Sequence, residues 1–149
     1  MIQKLNLLLV LLLLSVITSA QNSAKEEDAV HQTIVKLFDA LSKRDSVSLK
    51  EVSTADITLY EYGGVWTIDT LILKAIKLNT AKEFARTNTF DFIHTTVDNK
   101  MALVNYRLQS IITRDGKEAT LEWLETVVLI KVKNQWKVKH LHSTLLKRS

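Results

Sequence analysis

His140 and His142 stand two residues apart in the closing stretch Trp136-Lys137-Val138-Lys139-His140-Leu141-His142. In an extended strand this spacing sets both imidazoles on one face with Trp136 and Val138, and leaves Lys137, Lys139 and Leu141 on the other. Imidazole exchanges protons near neutral pH, orients polar ligands and binds metals. Four roles are open to the pair: bonding a backbone carbonyl or carboxylate within a curved sheet, lining a ligand pocket, acid–base work, or half of a zinc site. Zinc would need a third ligand, for which His94, Asp56 or Glu122 would have to approach. The local pair does not supply one, so no metal and no cofactor are expected.

The other candidates are aromatic or acidic. Tyr60 and Tyr62 share a strand face with Thr58, and Tyr106 lies with Val104 and Leu108; such rings enter a core with their hydroxyls seeking partners near a cavity. Trp66 follows Gly63-Gly64 and suits a cavity mouth, whereas Trp136 suits a hairpin anchor. Glu122 has the parity of Leu124 and Thr126 and becomes a pocket acid if that face looks inward, which a bulge would reverse. The candidate ligand-pocket residues are therefore Tyr60, Trp66, Tyr106, Glu122, His140 and His142. No residue is assigned a catalytic role, and Asp45 and Asp69 read as helix-start residues.

These side chains must be positioned by a single domain, since 149 residues with 46% apolar content suffice for one core. The absence of cysteine removes disulfides, thiol nucleophiles and thiolate-held metals. No proline and only three glycines leave no collagen-like, proline-rich or glycine-loop nucleotide-binding pattern. Ser23 and Glu26 form a capping-box pattern, and Val30, Ile34, Leu37, Phe38 and Leu41 give a helical stripe running to about Arg44. A short helix over Val47–Val52, a strand over Asp56–Tyr62 and a helix capped by Thr67 follow. Long strands are then predicted over Thr87–Val97, Met101–Thr113, Ala119–Lys133 and Trp136–Leu145, with turns at Asp98-Asn99, Asp115-Gly116 and Asn134-Gln135. Helices followed by an antiparallel meander define an α+β class and exclude a doubly wound nucleotide fold. Helices on the inner face of so long and curled a sheet would leave a cone open at one end.

Three phrases resemble the SnoaL-like branch of the nuclear transport factor 2-like superfamily, especially small exported bacterial members. They are Phe38-Asp39-Ala40-Leu41-Ser42-Lys43-Arg44-Asp45, Thr58-Leu59-Tyr60-Glu61-Tyr62-Gly63-Gly64-Val65-Trp66, and the closing Asn134 to Thr144 with Trp136, His140, His142 and Ser143. The resemblance implies a cone-shaped α+β barrel with N-terminal helices on a highly curved antiparallel sheet, a hydrophobic pocket, and commonly a dimer through the sheet. The superfamily serves isomerases, cyclases, dehydratases, adaptors and assembly domains alike. The ketosteroid-isomerase context of tyrosine, aspartate base and buried acid is not recognisable, so neither Tyr60 nor Asp56 takes those roles.

Both faces of the Ala119–Lys133 strand carry apolar groups, which calls for a second buried surface. Trp123, Val127 and Leu129 are accordingly expected at an outer-sheet homodimer interface, beside Asn105, Arg107 and Gln109. Before the domain, Lys4, the apolar run Leu5–Ile17 and Thr18-Ser19-Ala20 read as a signal peptide over residues 1–20. The mature domain would span 21–149 and be exported, periplasmic or secreted, without a stable membrane anchor. An uncleaved anchor is the alternative, weakened by Asn6, Ser15, Thr18 and Ser19. The small positive charge of +4 includes six basic and no acidic residues from Lys131 to Ser149. This reads as a solvated hairpin rather than a nucleic-acid surface. The leading function is binding of a small apolar or amphipathic molecule without catalysis. A small-molecule isomerase, dehydratase or hydrolase using the same pocket, and a dimeric adaptor with a vestigial pocket, are the alternatives.

Overall fold

The computed structural model describes residues 23–149, so the signal peptide expected over 1–20 lies outside the described residues. Helix α1 covers 23–42 and lays Val30, Ile34, Leu37, Phe38 and Leu41 into the core, each at most 7% exposed. Burying such side chains contributes roughly 1.5–3 kcal/mol apiece, which is what holds the helix on the sheet. Asp45 then starts α2 (Ser46–Glu51), its carboxylate accepting from the backbone N–H groups of Val47 and Ser48. Thr67 caps α3 (Ile68–Leu71) as the sequence predicts, accepting from the Thr70 N–H. This helix continues as a π-turn segment over Ile72–Lys77. The wider turn leaves Leu78 65% exposed instead of extending the apolar face.

Six strands follow the chain as β1 (Ser53–Glu61), β2 (Gly64–Trp66), β3 (Phe84–Asp98), β4 (Met101–Arg114), β5 (Lys117–Val132) and β6 (Gln135–Arg148). They make one sheet in the order β2-β1-β6-β5-β4-β3. The sequence predicts an antiparallel meander, and β3 to β6 form one. β1, however, pairs parallel to β6, Thr58 opposite His140 and Tyr60 opposite His142. Backbone angles explain the tight turns: Tyr62-Gly63, Asp115-Gly116 and Lys133-Asn134 each place two consecutive residues at positive φ, as primed hairpin turns require. The last of these falls one residue before the predicted Asn134-Gln135.

Two expectations about strand faces are corrected. First, Trp123, Val127 and Leu129 point into the cone, at 6%, 0% and 0% exposure, so they belong to the core and not to a dimer surface. Their outward neighbours are Leu124, Val128 and Ile130, and Asn105 bonds Thr126 on that same outer face. Second, β6 carries a bulge. Leu129 pairs with Val138 but Val128 pairs with His140, so Lys139 is an extra residue and the alternation inverts beyond it. Trp136 and Val138 face inward before the bulge, and Leu141 and Ser143 after it. His140 and His142 are thereby turned to the outer face.

Candidate functional site

A cavity of about 320 Å³ opens between the C-terminal half of α1, the π-turn segment and the ends of β1, β3, β4, β5 and β6. Its apolar walls are Phe38, Leu41, Leu71, Ile112, Leu121 and Trp123, with Tyr62 and Trp66 among the lining groups. The π-segment contributes Lys74 and Ala75, and the Lys74 ammonium lies 4.8 Å from the Trp66 ring centroid. Polar groups are few and drawn from distant strands: Glu61, Arg86, Arg114, Glu125 and Arg148.

Glu125 is the deepest of these, 3% exposed on the inward face of β5. Tyr106, fully buried on the neighbouring strand, donates its hydroxyl to Glu125 Oε2 at 2.5 Å, and Ser143 of β6 donates to Oε1 at 2.9 Å. Burial pushes the Glu125 carboxyl up to about 7; the Tyr106 and Ser143 bonds oppose that rise, Glu61 adds to it, and Arg86 opposes it. Burial also lifts the Tyr106 phenol well above its usual value, so it remains a donor at neutral pH. Glu61 is raised for the same first reason, against the pull of Ser143, Arg86 and His142.

Arg86 faces these acids from β3. Its guanidinium donates from Nε to Asn88 Oδ1 at 2.9 Å and from Nη2 to Ser110 Oγ at 3.0 Å, and lies 5.3 Å from the Phe38 ring and 5.8 Å from Trp123. Ser110 donates onward to Asn88, and Asn88 to the Ser42 hydroxyl of α1, so the arginine is braced from both layers. Burial lowers its pKa, and the fields of Glu125 and Glu61 oppose that fall. Chemically, Glu125 can exchange a proton with a bound molecule near neutrality, and Arg86 can stabilise negative charge beside it.

Of the sequence candidates, Trp66 lines the cavity, and Tyr106 reaches it only through Glu125. Glu122 lies on the outer parity of β5. Tyr60 is 45% exposed on the outer face and meets the edges of both histidine rings, 4.7 Å from His140 and 5.7 Å from His142. His140 Nδ1 shares a 2.8 Å hydrogen bond with Thr58 Oγ1, a hydroxyl on the adjacent strand rather than the backbone carbonyl or carboxylate considered from the sequence. His94 bonds Thr96 on β3, and among the described residues no three His, Asp or Glu side chains gather as a metal site.

Glu61, Arg86 and Glu125 were missed. For Glu125 the signal was present: a two-residue turn at Asp115-Gly116 pairs Arg114 with Lys117. Counting back sets Leu108, Tyr106 and Val104 beside Trp123, Glu125 and Val127. The clean alternation of β4 then assigns the inward face of β5.

Residues 30–146 match the family described as the SnoaL-like domain. No curated protein matches the sequence. Solved structures share its architecture. A scytalone dehydratase candidate from Novosphingobium aromaticivorans superposes with a TM-score of 0.74 at 16% identity, over 87% of this chain and 90% of its own. A nuclear transport factor 2-like superfamily protein from Salmonella enterica serovar Typhimurium gives 0.71 at 13% identity, over 84% and 94%. A type 2 hexachlorocyclohexane dehydrochlorinase gives 0.71 at 10%, over 87% and 91%. At these identities the likeness establishes the fold alone. With the helices, the curled open sheet and a family match over most of its length, the chain belongs to the SnoaL-like domain family and has the α+β cone of the nuclear transport factor 2-like superfamily.

Proposed function

We propose that this chain binds a small amphipathic organic molecule in its cone, apolar body against Phe38, Leu41, Leu71 and Trp123 and polar end toward Glu61, Arg86 and Glu125. The observation that carries this reading is a cavity of about 320 Å³ whose apolar walls converge on a few polar groups. That is the common design of small-molecule sites. The open cavity supports this reading over that of an adaptor with a vestigial pocket, which calls for a filled cone. The leader read over 1–20 supports an exported setting for the binding.

A second reading has its own support. Glu125, held near 7 beside Arg86, suits a base that removes a proton from a bound substrate while the cation receives the developing charge. The names of two fold neighbours, a dehydratase candidate and a dehydrochlorinase, lie in the same direction by fold analogy. Native mass spectrometry of the purified chain, followed by denaturing extraction, tests the first reading. Retention of a small organic molecule is expected, and an empty chain from every preparation counts against it. Glu125→Gln separates the two readings, since a binder keeps that molecule unchanged whereas an enzyme accumulates unconverted substrate in the variant.

A further inference from the structure

The cations that line the cavity form no ion pair among the described residues, although two carboxylates, Glu61 and Glu125, line it with them. The ion pairs among the described residues, Lys50–Asp69, Lys131–Glu26 and Lys139–Asp56, all lie outside it. Arg86 uses two of its five N–H donors on Asn88 and Ser110, and no other acceptor for it occurs among the described residues. Arg114, at the end of β4, rests its guanidinium 5.8 Å from the Phe84 ring centroid rather than on a carboxylate. Arg148, at the end of β6, is held in place by its backbone: it pairs with Leu121, and the next residue exchanges two backbone hydrogen bonds with Thr120.

We propose that the cone selects its ligand as an organic anion, the head group received on the Tyr62 side of the cavity by Arg86, Arg114 and Arg148 and the apolar body directed toward Phe38 and Trp123. This rests on the reading of the cone as a small-molecule site and adds the charge of what enters it. Arginine forks match carboxylate and sulfonate oxygens through paired N–H donors, and a low-dielectric wall strengthens the attraction. The cavity counts four cations, Lys74 included, against two carboxylates, so positive charge is in excess even with both acids ionised. Arg86, Arg114 and Arg148 come from three different strands and line the same cavity as Tyr62. Glu61 is an opposing charge in that cavity, and an entering anion must overcome it.

Two fluorescent probes of one skeleton test this: 8-anilinonaphthalene-1-sulfonate carries an anionic head, and N-phenyl-1-naphthylamine lacks it. The sulfonate is expected to bind the wild-type chain at least about tenfold more tightly. Arg114→Gln with Arg148→Gln should weaken the sulfonate by about tenfold and move the neutral probe by less than about twofold. Glu61→Gln should tighten the sulfonate by a few-fold. Lys100→Gln with Lys133→Gln removes the same charge at the far hairpin turns and should change neither probe. Equal binding of the two probes overturns the anion inference and leaves the small-molecule reading standing. Equal loss of both in the arginine variant, or the same loss in the lysine variant, also overturns it. Failure of both probes to bind the wild type removes the small-molecule reading itself.

Discussion

The two ends of the cone are built from the same strands and treat charge in opposite ways. At the narrow end Val104, Val127, Leu129 and Val138 are at most 1% exposed, and the carboxylate there, Glu26 of α1, sits near the surface. It accepts from Lys131 Nζ at 2.7 Å and from Trp136 Nε1 at 2.9 Å, bonds that lower its pKa. At the wide end the carboxylate of Glu125 lies under Tyr106 and Ser143, with its pKa raised to about 7 by burial. One end spends its charge at the surface, fastening a helix to a hairpin; the other keeps a carboxyl buried under two hydroxyl donors from neighbouring strands. A buried carboxyl whose pKa is pushed up by burial, lining a cavity, marks a candidate site, and this contrast points to the wide end.

The most drastic way to break the contrast is to put charge into the narrow end. Val127→Lys with Leu129→Lys would bury two ammonium groups among aliphatic side chains, and more than about 4 kcal/mol should be lost. Circular dichroism should show no cooperative melt; a folded variant of altered association would return these residues to an outer surface.

Neutralising the wide end should do the reverse. Glu125 titrates near 4.5 when unfolded and near 7 when folded, so the folded state retains the proton between those values. Stability from this group is therefore greatest below about pH 4.5, falls as pH rises to about 7 and is flat above, a difference of roughly 3 kcal/mol. Glu125→Gln should remove that slope and add about 1–3 kcal/mol at pH 8, read from urea unfolding at pH 5, 6, 7 and 8. A variant that keeps the wild-type slope would show that another group titrates.

Glu26→Gln tests the fastening. Since the folded pKa of Glu26 is lowered, its contribution is present above the unfolded value and is lost as pH falls through the folded one. The variant should lose about 1 kcal/mol at pH 7 and progressively less as the pH falls through the folded value, measured by the same unfolding series. The smallest effect belongs to the outer face. His140→Asn with His142→Asn should change stability by less than about 0.5 kcal/mol and leave binding in the cone as it was. Calorimetric titration that showed lost affinity would draw the histidines back into the site.

Much of this architecture was legible, and the reasons for the rest are specific. Capping by Asp45 and Thr67, the α1 stripe and the β3–β4 and β4–β5 hairpins follow from local chemistry, and local chemistry is what a sequence displays. The histidine pair misled because one inserted residue, Lys139, inverts a face, and nothing in Val-Lys-His-Leu announces an insertion. The β5 face misled because both its parities are apolar; only the hairpin register, counted from Asp115-Gly116, decides between them. Glu61 and Arg86 could not be linked at all from spacing. They line one cavity because β1 and β3 bring opposite sides of the sheet round one opening, which is a property of curvature.

The position of β6 has a consequence in time. Gln135–Arg148 is the last strand in sequence yet lies between β1 and β5, inside the sheet. Until it is in place, β1 and β2 have no route to the rest of the sheet, and the contacts that join them span some eighty residues, as Thr58 to His140 does. The β3–β5 meander can assemble from neighbouring segments, whereas ring closure across most of the domain must come afterwards and is slow. A chain whose last strand has not yet inserted therefore holds a half-sheet with an open edge, and the cavity comes into being in the final step of folding.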